Sequence, residues 1–254
     1  MKYSTFCIII MLPLLFIFAG CSKTPEQWLK IAEKAEKEGQ LDDAKKAYQK
    51  VCEGNLIHGC LKLGMIYEQI KDTPNAMKWM RTACDKGAVK GCFWVGGKEA
   101  DDIKARHYLA IACKGQEYPA CYELGLKWKK AGDMDKAVEF FGKACKKQVK
   151  KGCRAAGEVE YKRKNEKQAT SWFKIGCEDY GDTQLCIVLG TWETDGGKAA
   201  HYFREACRRK DYEGCRRLGE MFERAGEKDN AKIQYDKACK GGDKTACELL
   251  AKLK

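Results

Sequence analysis

The chain has 254 residues, of which 44% are hydrophobic and 33% charged, and its formal net charge is +12. This composition is too apolar for a disordered protein, and the length is ample for a folded or repetitive one. Sixteen cysteines stand beside only three histidines. In a cytosolic protein so many cysteines would indicate metal or redox chemistry, whereas in an exported protein they indicate disulfides.

The N-terminal segment has the features of a secretory signal. It carries one basic residue, Lys2, and an apolar run from Phe6 to Ala19 that is shorter than the roughly 20 residues a membrane-spanning helix needs. A cleaved signal is therefore favoured over a membrane anchor. The residues FAGC, which end at Cys21, resemble a bacterial lipoprotein box. The resemblance implies a signal peptide over residues 1–20, lipidation of Cys21 and a short tether over residues 21–24.

Seven cysteine pairs follow the tether. The two cysteines of a pair stand eight positions apart, or nine in one pair, and the first cysteines of successive pairs are 29 to 32 residues apart. Structural zinc sites usually space their cysteines by two to four positions, so no metal or cofactor is expected. Fourteen cysteines allow many disulfide connectivities, and their repetition favours pairing of neighbours: Cys52 with Cys60, Cys84 with Cys92, Cys113 with Cys121, Cys145 with Cys153, Cys177 with Cys186, Cys207 with Cys215, and Cys239 with Cys247.

Columns of similar residues predict two helices in each repeat. An alanine, a large apolar residue and a mostly small residue stand eight, four and one positions before each first cysteine, and these spacings share one face of an α-helix. A second stripe follows each second cysteine and includes a glycine four positions on in six of the seven copies. Because glycine costs a helix about 1 kcal/mol relative to alanine, its recurrence predicts a close helix crossing, in which the alanine of one helix faces the glycine of the next.

The predicted architecture is all-α. Each cysteine pair brackets the connection between the second helix of one unit and the first helix of the next. Residues 25–254 are therefore predicted to form seven antiparallel helix pairs and a C-terminal capping helix, cross-linked by disulfides. The columns resemble tetratricopeptide repeats, and with the cysteine pairs they resemble the Sel1-like repeats of the Helicobacter cysteine-rich protein (Hcp) family, which implies a right-handed α-solenoid. The third and sixth units, GGKEADDIKARHY and GTWETDGGKAAHY, depart from the family pattern because they are trimmed.

Such a solenoid implies a binding scaffold. Stacked helix pairs present an extended inner surface on which proteins or peptides bind, and by analogy with tetratricopeptide proteins it is lined by the positions one and five residues after the second cysteine. The candidate binding residues at the first of these positions are Leu61, Phe93, Tyr122, Arg154, Ile187 and Arg216, and Met65, Leu126 and Glu158 stand beside them at the second. The alternative is that these side chains only stack the repeats together.

The charge of the chain and its predicted export restrict the classes of partner that are expected. Basic runs in the C-terminal half favour an acidic protein, a cell-wall polymer or lipid headgroups. Nucleic acid is not expected, because the chain is exported. The lipid would attach a monomeric scaffold to the cell envelope, on the periplasmic face of the outer membrane or at the cell surface, unless the protein is secreted.

An enzyme is the alternative function, because the resemblance also implies penicillin-binding or β-lactamase activity, as described for some members of that family. Ser171 and Lys174 match the S-x-x-K element of serine β-lactamases. The S-D-N and K-T-G elements are missing from the sequence, and the intervening Trp172 and Phe173 occupy buried columns of their helix. The pattern therefore places the serine on a polar helix surface, and no catalytic residue is assigned.

Overall fold

The computed structural model describes residues 23–253 of the chain, and in this range it consists of fifteen α-helices and one π-helical turn. The predicted signal peptide, residues 1–20, and the lipidation site Cys21 lie outside the described residues. The described part of the chain divides into two compact units, of which the first ends at Val95 and the second begins at Gly96. No described helix combines the length and the apolar character that are needed to cross a bilayer.

The first unit consists of consecutive helices joined by short turns. Thr24 caps the first helix in a capping box, because its side chain accepts a hydrogen bond from the Gln27 amide while the Gln27 side chain accepts one from the Thr24 amide. Asp72 caps the fourth helix in a similar way, through the amide of Asn75. The helices are α1 (Pro25–Lys37), α2 (Leu41–Glu53), α3 (Ile57–Gln69), α4 (Thr73–Asp85) and α5 (Val89–Lys98), which begins in this unit and ends in the next.

The second unit continues the same alternation of helices and short turns. Most of its helices have thirteen residues, whereas α5 and α11, which belong to the two trimmed repeats, have ten. The helices are α6 (Asp102–Lys114), α7 (Tyr118–Lys130), α8 (Met134–Lys146), α9 (Lys150–Lys162), α10 (Glu166–Lys174), α11 (Thr183–Trp192), α12 (Gly196–Arg208), α13 (Tyr212–Arg224), α14 (Lys228–Lys240) and α15 (Lys244–Lys252).

The repeated columns form the core of each unit. The column alanines are at most 5% exposed. The helical glycines face the large residues of the following helix: a Cβ on Gly125 would lie 2.6 Å from the Phe141 ring, and one on Gly190 would lie 2.7 Å from the Phe203 ring. The predicted close crossing is therefore present, but the glycine receives the large residue of the neighbouring helix and not its alanine. A large side chain gains more buried area from a missing Cβ than a methyl group does.

The seven predicted cysteine pairs are disulfides within the described chain, with Cα–Cα distances of 4.6 to 4.9 Å. Each links the end of one helix to the first turn of the next. The prediction of seven helix pairs, a C-terminal helix and local disulfides is thereby confirmed. The protein has an all-α solenoid fold of paired helical repeats.

The pair Cys177–Cys186 differs from the others because nine positions separate its cysteines. A π-helical turn, Ile175–Asp179, follows α10 and accommodates the additional residue. A π turn widens the backbone hydrogen-bonding pattern from i+4 to i+5, so it absorbs one residue without ending the helix. The nine-residue spacing of this pair is visible in the sequence, but the π turn was not predicted from it.

Candidate binding cleft between α9 and α11

The trimmed sixth repeat leaves a cleft beside α9. Helix α11 ends six positions after its cysteine, where Glu193 adopts an extended conformation, whereas α9 continues for nine positions after its own. Three missing residues shorten a helix by about 4.5 Å, so the last turn of α9 has no matching turn on α11. The resulting cleft has a volume of about 450 Å³ and is lined mainly by Arg154, Glu158, Tyr161, Gln184, Val188 and Trp192.

Three aromatic rings form the wall of this cleft. Tyr161 and Trp192 stack with their centroids 4.6 Å apart and their planes 25° apart, and Phe173 meets the Trp192 ring at 5.3 Å and 55°. Tyr161 is 49% exposed and Trp192 is 36% exposed. Trp192 also lines two neighbouring cavities of about 270 and 90 Å³. The stack is thus preformed and still open to solvent.

A change of residue type in the fifth repeat places an aromatic ring at the cleft where two other repeats have a carboxylate. In the first and last complete repeats, the large column residue is a tyrosine whose hydroxyl donates to a glutamate twelve positions earlier, in the pairs Tyr48–Glu36 and Tyr235–Glu223. In the fifth repeat the same two positions hold Phe173 and Tyr161. Phenylalanine has no hydroxyl group that needs a hydrogen-bond acceptor. The position that holds a glutamate in the other two repeats can therefore hold an aromatic residue here.

The charges around the cleft are balanced. Nη2 of Arg154 donates to both carboxylate oxygens of Asp182, at 2.8 and 3.0 Å, and Asp182 also accepts a hydrogen bond from the Leu185 amide at the start of α11. Glu158 and Lys162 stand one helical turn apart on α9 and are both exposed. The two positive and two negative side chains sum to zero, in a chain whose net charge is +12.

The structure brings together two of the candidate binding residues at this cleft, Arg154 and Glu158. Ile187 is only 6% exposed and belongs to the core. Arg216 binds the carboxylates of Asp243, Glu220 and Glu213, and its side chain is 16% exposed. Leu61 and Phe93 are half-buried. Tyr122 and Leu126 are also half-buried, and they pack against the core around Phe141. Met65 is 50% exposed.

Tyr161 and Trp192, the most prominent residues of the cleft, were not among the candidates. Tyr161 stands eight positions after its cysteine, outside the two positions used for the prediction. The available signal was the trimmed sixth unit, in which Trp192 is the last residue before the break in the helix.

The serine of the S-x-x-K match lies on a helix surface. Ser171 is exposed, and its hydroxyl donates to the backbone carbonyl of Lys167 at 2.9 Å. A nucleophilic serine directs its proton to a general base instead. The described residues also contain no group of three or more His, Cys, Asp or Glu side chains that could hold a metal ion.

Family models match parts of the chain. The tetratricopeptide repeat model matches residues 57–85, and the Sel1 repeat model matches residues 92–116, 119–149 and 192–211. The segment 150–191, which contains α9, the π turn and most of α11, lies between the Sel1 matches. None of the curated proteins is significantly similar in sequence.

Solved structures share the fold. One is c5321, a protective antigen present in uropathogenic Escherichia coli strains and displaying an SLR fold, with a TM-score of 0.64 and 18% identity; the similarity covers 89% of this chain but only 56% of that one. Another is a Sel1 repeat protein from Oxalobacter formigenes, with a TM-score of 0.56 and 21% identity over 74% of this chain and 88% of that one. At such identities the likeness concerns the fold alone. The chain is therefore similar in fold to repeat proteins of the Sel1 and tetratricopeptide type, and seven disulfides cross-link its described helices.

Proposed function

We propose that this protein is a non-catalytic, disulfide-stabilised scaffold that binds a protein or peptide partner in the cleft between α9 and α11. The observation that carries the proposal is the exposed stack of Tyr161 and Trp192. Tyrosine and tryptophan are the residue types most often found at the energetic centres of protein interfaces, where they fill or line desolvated pockets. A stack that remains open to solvent is a place where a partner can bury additional aromatic surface.

The shape of the cleft supports a partner with an extended segment. A volume of about 450 Å³ lies within the range of roughly 300 to 1,000 Å³ that is typical of ligand pockets. The two smaller cavities beside Trp192 extend the contact surface past the stack. Repeat proteins generally use such surfaces to bind other proteins.

The cysteines indicate where the binding takes place. Seven disulfides among the described residues indicate an oxidising, extracytoplasmic compartment. The finer location that we propose is the cell envelope, with residues 1–20 removed as a signal peptide and Cys21 lipidated. Metabolic labelling with an alkyne-tagged fatty acid tests the anchor: the wild-type chain should incorporate the label and Cys21→Ser should not. Equal labelling of both proteins would contradict the anchor.

The binding function is tested by selecting from a phage-displayed library of random peptides on the full, oxidised chain. Selected peptides should bind Trp192→Ala and Tyr161→Ala at least about ten-fold more weakly than the wild type. The matched control is Ile233→Ala, because Ile233 is an apolar side chain on α14 that is 60% exposed; its affinity should be unchanged. Failure to select any peptide, or equal binding to all four proteins, would overturn the proposal.

A further inference from the structure

The charged side chains of the cleft are already engaged or exposed to solvent. Arg154 gives one guanidinium nitrogen to both oxygens of Asp182, so its positive charge is already neutralised by a partner. An incoming carboxylate could use only the remaining donors of the same guanidinium, beside the negative charge of Asp182, and it would lose hydration against the apolar part of the lining. Lys162 stands in the last turn of α9 and is exposed, where water and salt weaken its attraction for an anion.

Glu158 completes the balance of charge in the same lining. It is exposed on α9, one turn from both Arg154 and Lys162. Its negative charge offsets the attraction that these two cations would exert on an incoming carboxylate, and exposure to water weakens each of these interactions. The positive charge of the chain as a whole, +12, therefore does not extend into this cleft.

The remaining lining is apolar and preorganised. Phe173, Leu185 and Val188 line the cleft together with the stacked rings of Tyr161 and Trp192. Phe173 is only 4% exposed and contacts the Trp192 ring. Because this contact already orders the ring, little conformational entropy of Trp192 remains to be lost on binding. A bulky apolar side chain that enters here gains about 25 cal/mol for each Å² of apolar surface removed from water.

We propose that the α9–α11 cleft selects an uncharged, bulky apolar side chain, such as leucine, phenylalanine or tryptophan, as the anchor of an extended partner segment, and that it disfavours an acidic anchor. This proposal rests on the binding function proposed above and adds the chemistry of the partner. The partner expected at the cleft therefore differs from the acidic partner that the basic runs of the C-terminal half by themselves would indicate.

The test uses the peptides selected on the full, oxidised chain. Their aligned sequences should share one bulky apolar residue. Calorimetric titration of a synthetic copy should give a dissociation constant that changes less than about two-fold between roughly 0.05 and 0.5 M NaCl, because no ion pair is formed. Replacing the anchor by aspartate should weaken binding at least about ten-fold.

Two charge variants make the test specific. Glu139→Gln and Lys143→Gln remove one acidic and one basic side chain from an exposed ion pair on α8, outside the cleft lining, and should leave the affinity for the apolar peptide within about two-fold of the wild type. Peptides with acidic anchors, whose binding falls steeply with salt and is strengthened by Glu158→Gln, would overturn this inference. If those acidic peptides still require Trp192, the proposed binding function stands and only the chemistry of the anchor is wrong. If no selected peptide requires Trp192 or Tyr161, the binding function itself is wrong.

Discussion

Gly157 of α9 and Phe173 of α10 fit together so closely that a Cβ on the glycine would lie 2.2 Å from Cε1 of the ring. Because the glycine has no side chain, the Phe173 ring packs directly against the backbone of α9. The same ring then supports Trp192 at 5.3 Å. The packing of one helix pair thus determines the depth of the candidate binding cleft.

Gly157→Ala should destabilise the protein despite the better helix propensity of alanine. The methyl group would have to displace the Phe173 ring, and such overpacking costs about 1 to 3 kcal/mol, against about 1 kcal/mol gained from propensity. Chemical denaturation should therefore show a net loss of up to about 2 kcal/mol in the free energy of unfolding. Gly97→Ala is the matched control, because a Cβ on this helical glycine would meet no atom within 4 Å; it should be neutral or stabilising. Equal effects of the two substitutions would contradict the close contact.

Arg216→Ala should lower the free energy of unfolding, and we do not expect it to change a binding surface. Its guanidinium links the second turn of α13 to Asp243, the N-cap of α15, at 3.1 Å, and also binds Glu220. Removing it would leave carboxylates that are 15% and 20% exposed without their shared cation, and we expect a loss of about 2 kcal/mol in thermal or chemical unfolding. Its neighbour Arg217, which is 38% exposed, serves as the control and should contribute less than about 1 kcal/mol. Comparable losses for both arginines would show that burial is not the cause.

Asp102 should make the stability of the protein depend on pH in the acid range. Hydrogen bonds from Lys130 and Lys127, at 2.7 and 2.9 Å, lower the pKa of its carboxyl from 3.8 to about 2. Because the folded-state pKa is lower than the unfolded one, the stabilisation is present above about pH 4 and is lost as the pH falls to about 2. The thermal midpoint of Asp102→Asn should fall less over this interval than that of the wild type.

Two lysine variants check the cause of this pH dependence. Lys130→Gln should reduce it as Asp102→Asn does, because it removes the stronger hydrogen bond. Lys129→Gln removes the same charge from the neighbouring position on α7 and should leave the pH dependence in place. If both glutamine variants behave alike, the general positive charge is responsible and not the specific contact.

The disulfides should be reduced in an order set by their burial. Cys145 and Cys153 are both 0% exposed, whereas Cys239 and Cys247 are both partly exposed and lie in the last helix pair. Reduction requires that a thiolate reaches a sulfur atom, so accessible disulfides react first. Under graded reductant, alkylation followed by mass spectrometry should find label first at Cys239 and Cys247, and last at Cys145 and Cys153 and at the equally buried pair Cys177 and Cys186. The reverse order would mean that local unfolding, and not static burial, controls the reaction.

The oxidised full chain should not hydrolyse the β-lactam nitrocefin. Ser171 donates its hydroxyl hydrogen bond to the Lys167 carbonyl of its own helix, so it lacks the activated state of a catalytic nucleophile. The comparison protein is Ser171→Ala, whose absorbance trace should coincide with that of the wild type. Hydrolysis by the wild type alone would establish a serine β-lactamase on a helical-repeat scaffold and would overturn the non-catalytic function.

The repeat columns predicted the helices well, because residues at i, i+4 and i+7 report directly on one helix face. They predicted the contacts between helices less well. Both Ala169 and Phe173 are buried in α10, and the spacing alone cannot tell which of them faces Gly157. The rotation of one helix against the next decides this, and it depends on how large side chains fill the space between the two axes.

The sequence by itself determined the repeat period of 29 to 32 residues. It also predicted the helices and favoured the local pairing of the cysteines, because a helix face and a cysteine pair each depend on residues within about ten positions of one another. Only the tertiary structure decided which inner residues a partner can reach. Arg154 is engaged by Asp182, 28 positions away, Ile187 is covered by the core, and Tyr161 stays open because α11 ends early beside it. Exposure is the result of what neighbouring repeats do or do not cover, and a residue's own position in its helix carries only part of that information.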